Sequence, residues 1–326
     1  MKENNRQYYF VVLSGLLIFY MLLYPKQITL SALEALKVWA EKIVPSLFPF
    51  MAAVNIFTSA NVHVPAWLCF LSEHIFALNG NAFVSAFFSV AAGFPAGART
   101  AYENIENGTL SKKNLNTYLC LSLNASPAFI MSSAAHGFLA NGQAAFVLMF
   151  STVTANLLAS AIMSANSVAD GKIFACGAAD NGFSLFSSSV SSAAQTVISV
   201  GGYIIFFAVL SEILMLSGII PFICGFFSLF GIDSAFIKGL LTGIFEMTNG
   251  IKNISLSSCN IGAKTVACAF LLSFGGFCVH FQALEFLKNT GTGITSIIKA
   301  RLFCAVLSAV ICFAVLKIFY STSIPV

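Results

Sequence analysis

Long apolar stretches separated by short polar segments run through the whole of this chain. A membrane-crossing helix needs roughly 20 predominantly apolar residues. On that measure the pattern predicts candidate spans near 8–24, 44–60, 65–79, 81–98, 117–138, 142–164, 201–220, 235–250, 264–287 and 301–320. Several are short or carry polar residues in the middle, so about eight full crossings are expected, with the remainder broken or re-entrant. Two further stretches are amphipathic. ITLSALEALKVWAEKIV sets Leu33, Leu36, Ala40 and Ile43 against Glu34, Lys37, Glu41 and Lys42. FSLFSSSVSSAAQTVIS sets Phe183, Phe186, Val190, Ala194 and Val197 against serines. Both patterns predict helices lying in the membrane interface. At the N-terminus, Tyr24-Pro25-Lys26 follows the first apolar run where a signal peptide would offer small residues, so 8–24 is expected as a retained helix.

The pattern repeats. Sliding the chain by 153 residues lays FFSVAAGFPAGAR (87–99) over LLTGIFEMTNGIK (240–252), with Gly97 on Gly250 and Arg99 on Lys252. The same shift lays SLNASPAF over GGFCVHFQ, while a slightly larger one lays 48–57, with Asn55, over 205–214, with Glu212. The expected organisation is an N-terminal membrane helix (1–27), a first repeat (28–165), a connecting loop (166–182), a second repeat (183–320) and a short tail (321–326). The chain is therefore expected to be an all-α polytopic membrane protein with two repeats, inverted relative to each other.

Composition narrows the function classes. Of 326 residues, 58% are hydrophobic and only 9% charged, against about 25% charged in a soluble domain. A net charge of +4, scattered along the chain, gives no basic stripe for nucleic acid. The nine cysteines form no CxxC pair, and most lie inside apolar runs as packing residues. The four histidines show no metal-ligand spacing, and no GxSxG or serine–lysine pattern surrounds a serine. Neither an enzyme, a metal site nor a cofactor is expected. Charged loops are placed at Arg99 to Lys113, Asp170 to Asp180 and Lys288 to Arg301.

Candidate chemistry lies where apolar runs are interrupted. Inside a bilayer, irregular backbone is tolerated only where it is buried in protein or lines a wet cavity. Paired interruptions in two repeats are the best sequence pointer to a transporter's binding site. In GFPAGAR, Pro95 removes a donor, Gly93 and Gly97 free the backbone, and Arg99 adds charge; a plain helix end is the alternative. In SLNASPAF, Asn124, Ser126 and Pro127 interrupt an apolar run, either at a site or as interhelical hydrogen bonds. In GIFEMTNGIK, Glu246 is an intramembrane carboxylate followed by Thr248, Asn249, Gly250 and Lys252. Such a group serves ligand or ion contact or a structural pair with Arg99 or Lys252. In SFGGFCVHFQ, His280 and Gln282 offer polar tips, with packing as the alternative for the histidine. Glu73 and His74 belong to a hairpin or an interfacial turn.

The ordered set IVPSLFPFM (43–51), GFPAGAR (93–99) followed by ENGTLSKKN, SLNASPAFIMSSA (122–134), GGYIIFFAVLSEIL (201–214), TGIFEMTNGIKNIS (242–255) and FLLSFGGFCVHFQ (270–282) resembles the sporulation integral membrane protein YlbJ group. That group falls within the wider nucleoside-recognition (Gate) domain proteins, and the resemblance covers about residues 40 to 320. It implies a relative of the concentrative nucleoside transporters, with inverted repeats and broken helices. It also implies movement of dipicolinic acid into the developing spore, across the outer forespore membrane, if the source forms spores. Matched positions are Gly93, Pro95, Gly97, Arg99, Ser126, Pro127, Glu246, Gly250, Lys252 and His280. Asn124 and Ala125 depart from a stretch expected to be richer in serine and threonine.

The expected function is alternating-access transport of a small polar or anionic metabolite, with dipicolinate as leading substrate. Arg99 and Lys252 would then hold its two carboxylates. The alternatives are a nucleoside transporter of the same fold, using Asn124, Asn249, Glu246 and Gln282, or a non-transporting sporulation scaffold. Expected partners are the small-molecule substrate and the lipid bilayer, with room for a homo-oligomer. A bacterial cell membrane is the expected location.

Overall fold

The computed structural model of the chain describes residues 2–59, 64–165, 167–169 and 182–319. His63, the tail 321–326 and the connecting loop, apart from 167–169 and Gly182, lie outside the described residues. Everything regular among them is helical. Helix α1 (Lys2–Leu23) turns at Tyr24 into α2 (Pro25–Val38), which runs through a π-helical turn, Trp39–Ile43, into α3 (Val44–Ser59). Then come α4 (Ala66–Phe76), α5 (Gly80–Ala92), α6 (Phe94–Glu106), α7 (Leu115–Ser122), a π-helical stretch Phe129–Phe138, and α8 (Gly142–Ser164). The second half holds α9 (Gly182–Leu216), α10 (Ile219–Ser228), α11 (Ser234–Phe245), α12 (Met247–Ser255), α13 (Ile261–Phe274), α14 (Gly276–Leu287) and α15 (Ile294–Phe319).

The same series of shapes occurs twice. A long helix is followed by a short one, a helical hairpin, a helix broken in its middle, and a long apolar helix. The long helices span 34 residues (Pro25–Thr58) and 35 residues (Gly182–Leu216). They lie antiparallel, because Ser31 Oγ donates to the carbonyl of Ala208, Trp39 Nε1 to that of Val197, and Asn55 Nδ2 to that of Ser189. One register rises as the other falls. Antiparallel pairing of equivalent elements is the geometry that inverted topology requires.

The hairpins follow from the interruptions. In α5–α6, Ser89 Oγ meets Thr100 Oγ1 at 2.8 Å and Asn104 Nδ2 donates to Ser85 Oγ at 2.8 Å, so the chain folds back at Gly93. Gly93 sits at φ +88°, where a side chain would be strained. Tyr118 Oη on α7 bonds both Ser85 and Thr100, tying this hairpin to the broken helix behind it. In α11–α12 the fold-back is at Glu246, and Asn253 Nδ2 donates to Thr242 Oγ1 at 3.1 Å. The two arms nearly touch: a Cβ on Gly250 would lie 2.8 Å from the Gly239 carbonyl oxygen. Asn79 and Asp233 cap the entrances to the two hairpins through the backbone N–H groups of Ala82 and Phe236.

Two expectations change. Among the described residues, five helices are long and apolar enough to cross a membrane, or six if α4 and α5, bent by 81°, form one broken span. The count falls below eight because 81–98, 117–138 and 235–250 are each split by their polar or glycine residues, and the first apolar run yields only the short helix Val11–Leu23. The amphipathic stretches are not separate interfacial helices either. They continue without a break into α3 and along α9, since neither contains a helix breaker and each covers the other's flank. Most cysteines inside the apolar runs (Cys120, Cys224, Cys268, Cys278, Cys304 and Cys312) are buried and free.

Candidate functional site

All four interruptions meet. Beyond the hairpin tips at Gly93 and Glu246, the first broken helix opens between α7 and Pro127, and the second at Gly275. Gly93 packs on Ser126, while a Cβ on Gly97 would lie 2.5 Å from the carbonyl oxygen of Ser122. Gly275 packs against the Phe94 ring, and Gly276 against the carbonyls of Gly243, Ile244 and Phe245. The second break therefore touches both hairpin tips.

Between these parts lies a partly open cavity with about 500 Å³ of free space, its mouth included. Gly93, Phe94 and Pro95 come from the first tip, Glu246, Met247 and Thr248 from the second. Ala125, Ser126 and Phe129 come from the first broken helix, and Cys278, Val279 and Gln282 from the second. The long helices close it with Ile43, Ser46 and Leu47 on one and Val200 and Ile204 on the other.

The wall is apolar with a few aimed polar groups. Both carboxylate oxygens of Glu246 are engaged at 2.8 Å, one by the backbone N–H of Thr248 and one by that of Asn249. Glu246 thus caps α12 with both of its carboxyl oxygens. Ser126 does the same more weakly for the helix after Pro127, its Oγ accepting from Phe129 N at 3.2 Å. The N-terminal ends of α6 and α14 carry no side-chain cap. Thr248 Oγ1, on the cavity wall, has no hydrogen-bond partner.

The remaining sequence candidates fall into two groups. Asn124 lies buried in the first break, with neither amide atom partnered, and Pro127 opens the helix beyond it. His280 is wholly buried on α14, its Nε2 2.9 Å from the Phe274 carbonyl oxygen. These stand behind the wall rather than on it. Arg99 and Lys252 do not face the cavity, and the expected two-cation clamp is not assembled. Arg99 Nε pairs with Glu103 at 2.8 Å on its own helix, and Lys252 Nζ with Glu34 at 2.8 Å across the two halves. Lys252, Asn249, Asn253 and Lys238 line a separate, half-open polar chamber with Gln27, Ser31, Glu34 and Glu212, of about 820 Å³ including its mouth. The first turn of α12 divides chamber from cavity, with Asn249 on one side and Thr248 on the other. Asn55, buried, donates to the Ser189 carbonyl, and His74, exposed, lies 2.8 Å from the Phe70 carbonyl one turn back on its own helix.

One residue was missed. Arg301, assigned to a loop from sequence, lies on α15 and is wholly buried. The signal was an arginine opening an apolar stretch whose helix begins seven residues earlier.

Comparison with known proteins adds one relative. No family model and no solved structure matches the chain. It is 26% identical over 314 residues to the sporulation integral membrane protein YlbJ of Bacillus subtilis (strain 168), covering 88% of this chain and 77% of that protein. The chain is a multi-pass, all-helical membrane protein similar along most of its length to a sporulation integral membrane protein.

Proposed function

We propose that the chain is a transporter that carries a small polar or anionic aromatic metabolite through the cavity between its hairpin tips. The observation that carries this is the convergence of both hairpin tips and both broken helices on one mainly apolar cavity. Irregular backbone at membrane depth needs such a cavity, and discontinuous helices in corresponding places of two halves are how transporters build midplane sites. Domain-like repeats at 28–165 and 183–320, inverted about that site, account for the twofold series of elements.

Dipicolinate is the leading substrate. The relative's sporulation name supports it, as does the group resemblance. Apolar walls that include Phe94 and Phe129 suit its ring, and the uncapped tip of α6 suits a carboxylate. A nucleoside of similar size is the second reading, favoured by a wall that offers Glu246, Ser126, Thr248 and Gln282 but no cationic side chain. Transport proceeds by alternating access. Hairpin α11–α12 swings off the long helices, the Lys252–Glu34 pair parts, and chamber and cavity join. That pair is half exposed and contributes at most about 1 kcal/mol, so it biases the closed state without locking it.

Binding by the purified full chain separates the readings. Dipicolinate should raise the thermal unfolding midpoint in a saturable way, while isophthalate, lacking the ring nitrogen, and uridine should act more weakly. Stabilisation by uridine alone would move the assignment to nucleosides. No stabilisation by any of them, across pH and sodium concentration, would favour a scaffold.

A further inference from the structure

Arg301 is the one lysine or arginine buried among the described residues, at 0% exposure on an apolar helix. No carboxylate approaches within 4 Å of it among those residues. A guanidinium held inside a membrane protein without a counter-charge is costly and marks function. Its partners are backbone carbonyls instead. Nη1 donates to Cys120 O at 3.4 Å, Nη2 donates to Ser273 O, and Nε has no partner. The guanidinium carbon lies 5.8 Å from the centre of the Phe94 ring, which lines the cavity.

Those two carbonyls are not arbitrary. Cys120 is in the last turn of α7 and Ser273 in the last turn of α13, so each belongs to the broken helix of one half. A helix C-terminus carries roughly half a negative charge. Two such ends directed at one point sum to about one, which a single guanidinium offsets. On the other side of the breaks, Ser126 Oγ caps the helix after Pro127 and α14 begins at Gly276, against the carbonyls of Gly243, Ile244 and Phe245, while α6 at the first hairpin tip has no side-chain cap. Thr248 Oγ1, 2% exposed on the same wall, still has a hydrogen bond to make. The C-terminal ends of α7 and α13 are therefore offset by Arg301, and the tip of α6 stays without a side-chain cap.

We propose that Arg301 makes the central cavity selective for anions, acting through the half-helix ends and Phe94 rather than by contact with the ligand. It is a positioning residue, and this role rests on the cavity being the substrate site. Glu246 fits the scheme, since its charge is spent on the first turn of α12. Without Arg301, two bare C-terminal ends would stand beside the Glu246 carboxylate, and a dianion would be repelled.

Three probes of one shape test this in the full-length detergent-purified protein: pyridine-2,6-dicarboxylate, pyridine-2-carboxylate and pyridine-2,6-dicarboxamide. The wild type should bind the dianion at least about tenfold more tightly than the neutral diamide. In R301Q the dianion should weaken at least about tenfold, the monoanion less, and the diamide less than about twofold. R301K keeps the charge and should recover most of the dianion affinity. Equal loss of all three ligands in R301Q and R301K would reduce Arg301 to a packing residue and overturn the proposal. So would an unchanged R301Q. If R301Q does not fold, the wild-type preference still decides, since a wild type favouring the diamide overturns the proposal. A wild type that binds none of the probes overturns it too, by removing the site itself.

Discussion

Replacing Glu246 by alanine should lower transport at least about a hundredfold, the largest effect expected of any single substitution on the cavity wall. Its two carboxylate oxygens satisfy the N–H groups of Thr248 and Asn249 at the tip of a buried hairpin. Removing them leaves two donors orphaned where water is scarce, at about 1–3 kcal/mol each. The tip would then be free to fray into the cavity it closes. Glu246→Gln separates the cap from the charge. An amide oxygen can still accept one of the two bonds, so thermal stability should fall by no more than about 2 kcal/mol. Transport should nevertheless drop at least about tenfold, because the charge balance against Arg301 and the helix ends is lost. Wild-type transport in a folded Glu246→Gln would show that the carboxylate serves only as a cap.

Joining α2 to α12 should stop transport altogether. Glu34 and Lys252 meet at 2.8 Å, on the long helix of one half and the moving hairpin of the other. With both replaced by cysteine and bridged by a short bis-methanethiosulfonate, the hairpin cannot leave the long helix. Uptake should fall to background, and a thiol reductant should restore it. The wild type, treated identically, controls for its native cysteines, most of which are buried. The single cysteine variants should transport near the wild-type rate, because the half-exposed ion pair itself contributes little. Full bridging without loss of uptake would place the moving part elsewhere, with hairpin α5–α6 the next candidate.

Much of the site was legible in the sequence because helix interruptions are local. A glycine at φ +88°, a proline, or a carboxylate within an apolar run betrays itself without knowledge of the fold. The shift of 153 residues that pairs GFPAGAR with FEMTNGIK superposes the observed fold-backs, Gly93 and Glu246. The larger shift, matching 48–57 with 205–214, falls within the two long antiparallel helices. What stayed hidden depends on which way a residue faces. Arg99 lies six residues past its hairpin tip, so it turns to Glu103 and away from the cavity. Lys252 points into the polar chamber for the same reason. Arg301 was hidden because the expected span 301–320 set it at the span's edge beside a charged loop, whereas α15 begins two turns earlier and carries the arginine inside. The continuity of α2 into α3 was hidden too, since an amphipathic stretch looks the same whether it meets lipid headgroups or another helix.

The most direct test is uptake by sealed vesicles holding the purified chain. Preloaded with unlabelled dipicolinate and diluted into trace radiolabelled dipicolinate, they should accumulate label transiently above the external level. That counterflow should vanish in Glu246→Ala and in the bridged Glu34→Cys/Lys252→Cys protein. Equilibration no faster than in empty vesicles, for dipicolinate and uridine alike, would contradict a transport function for the cavity.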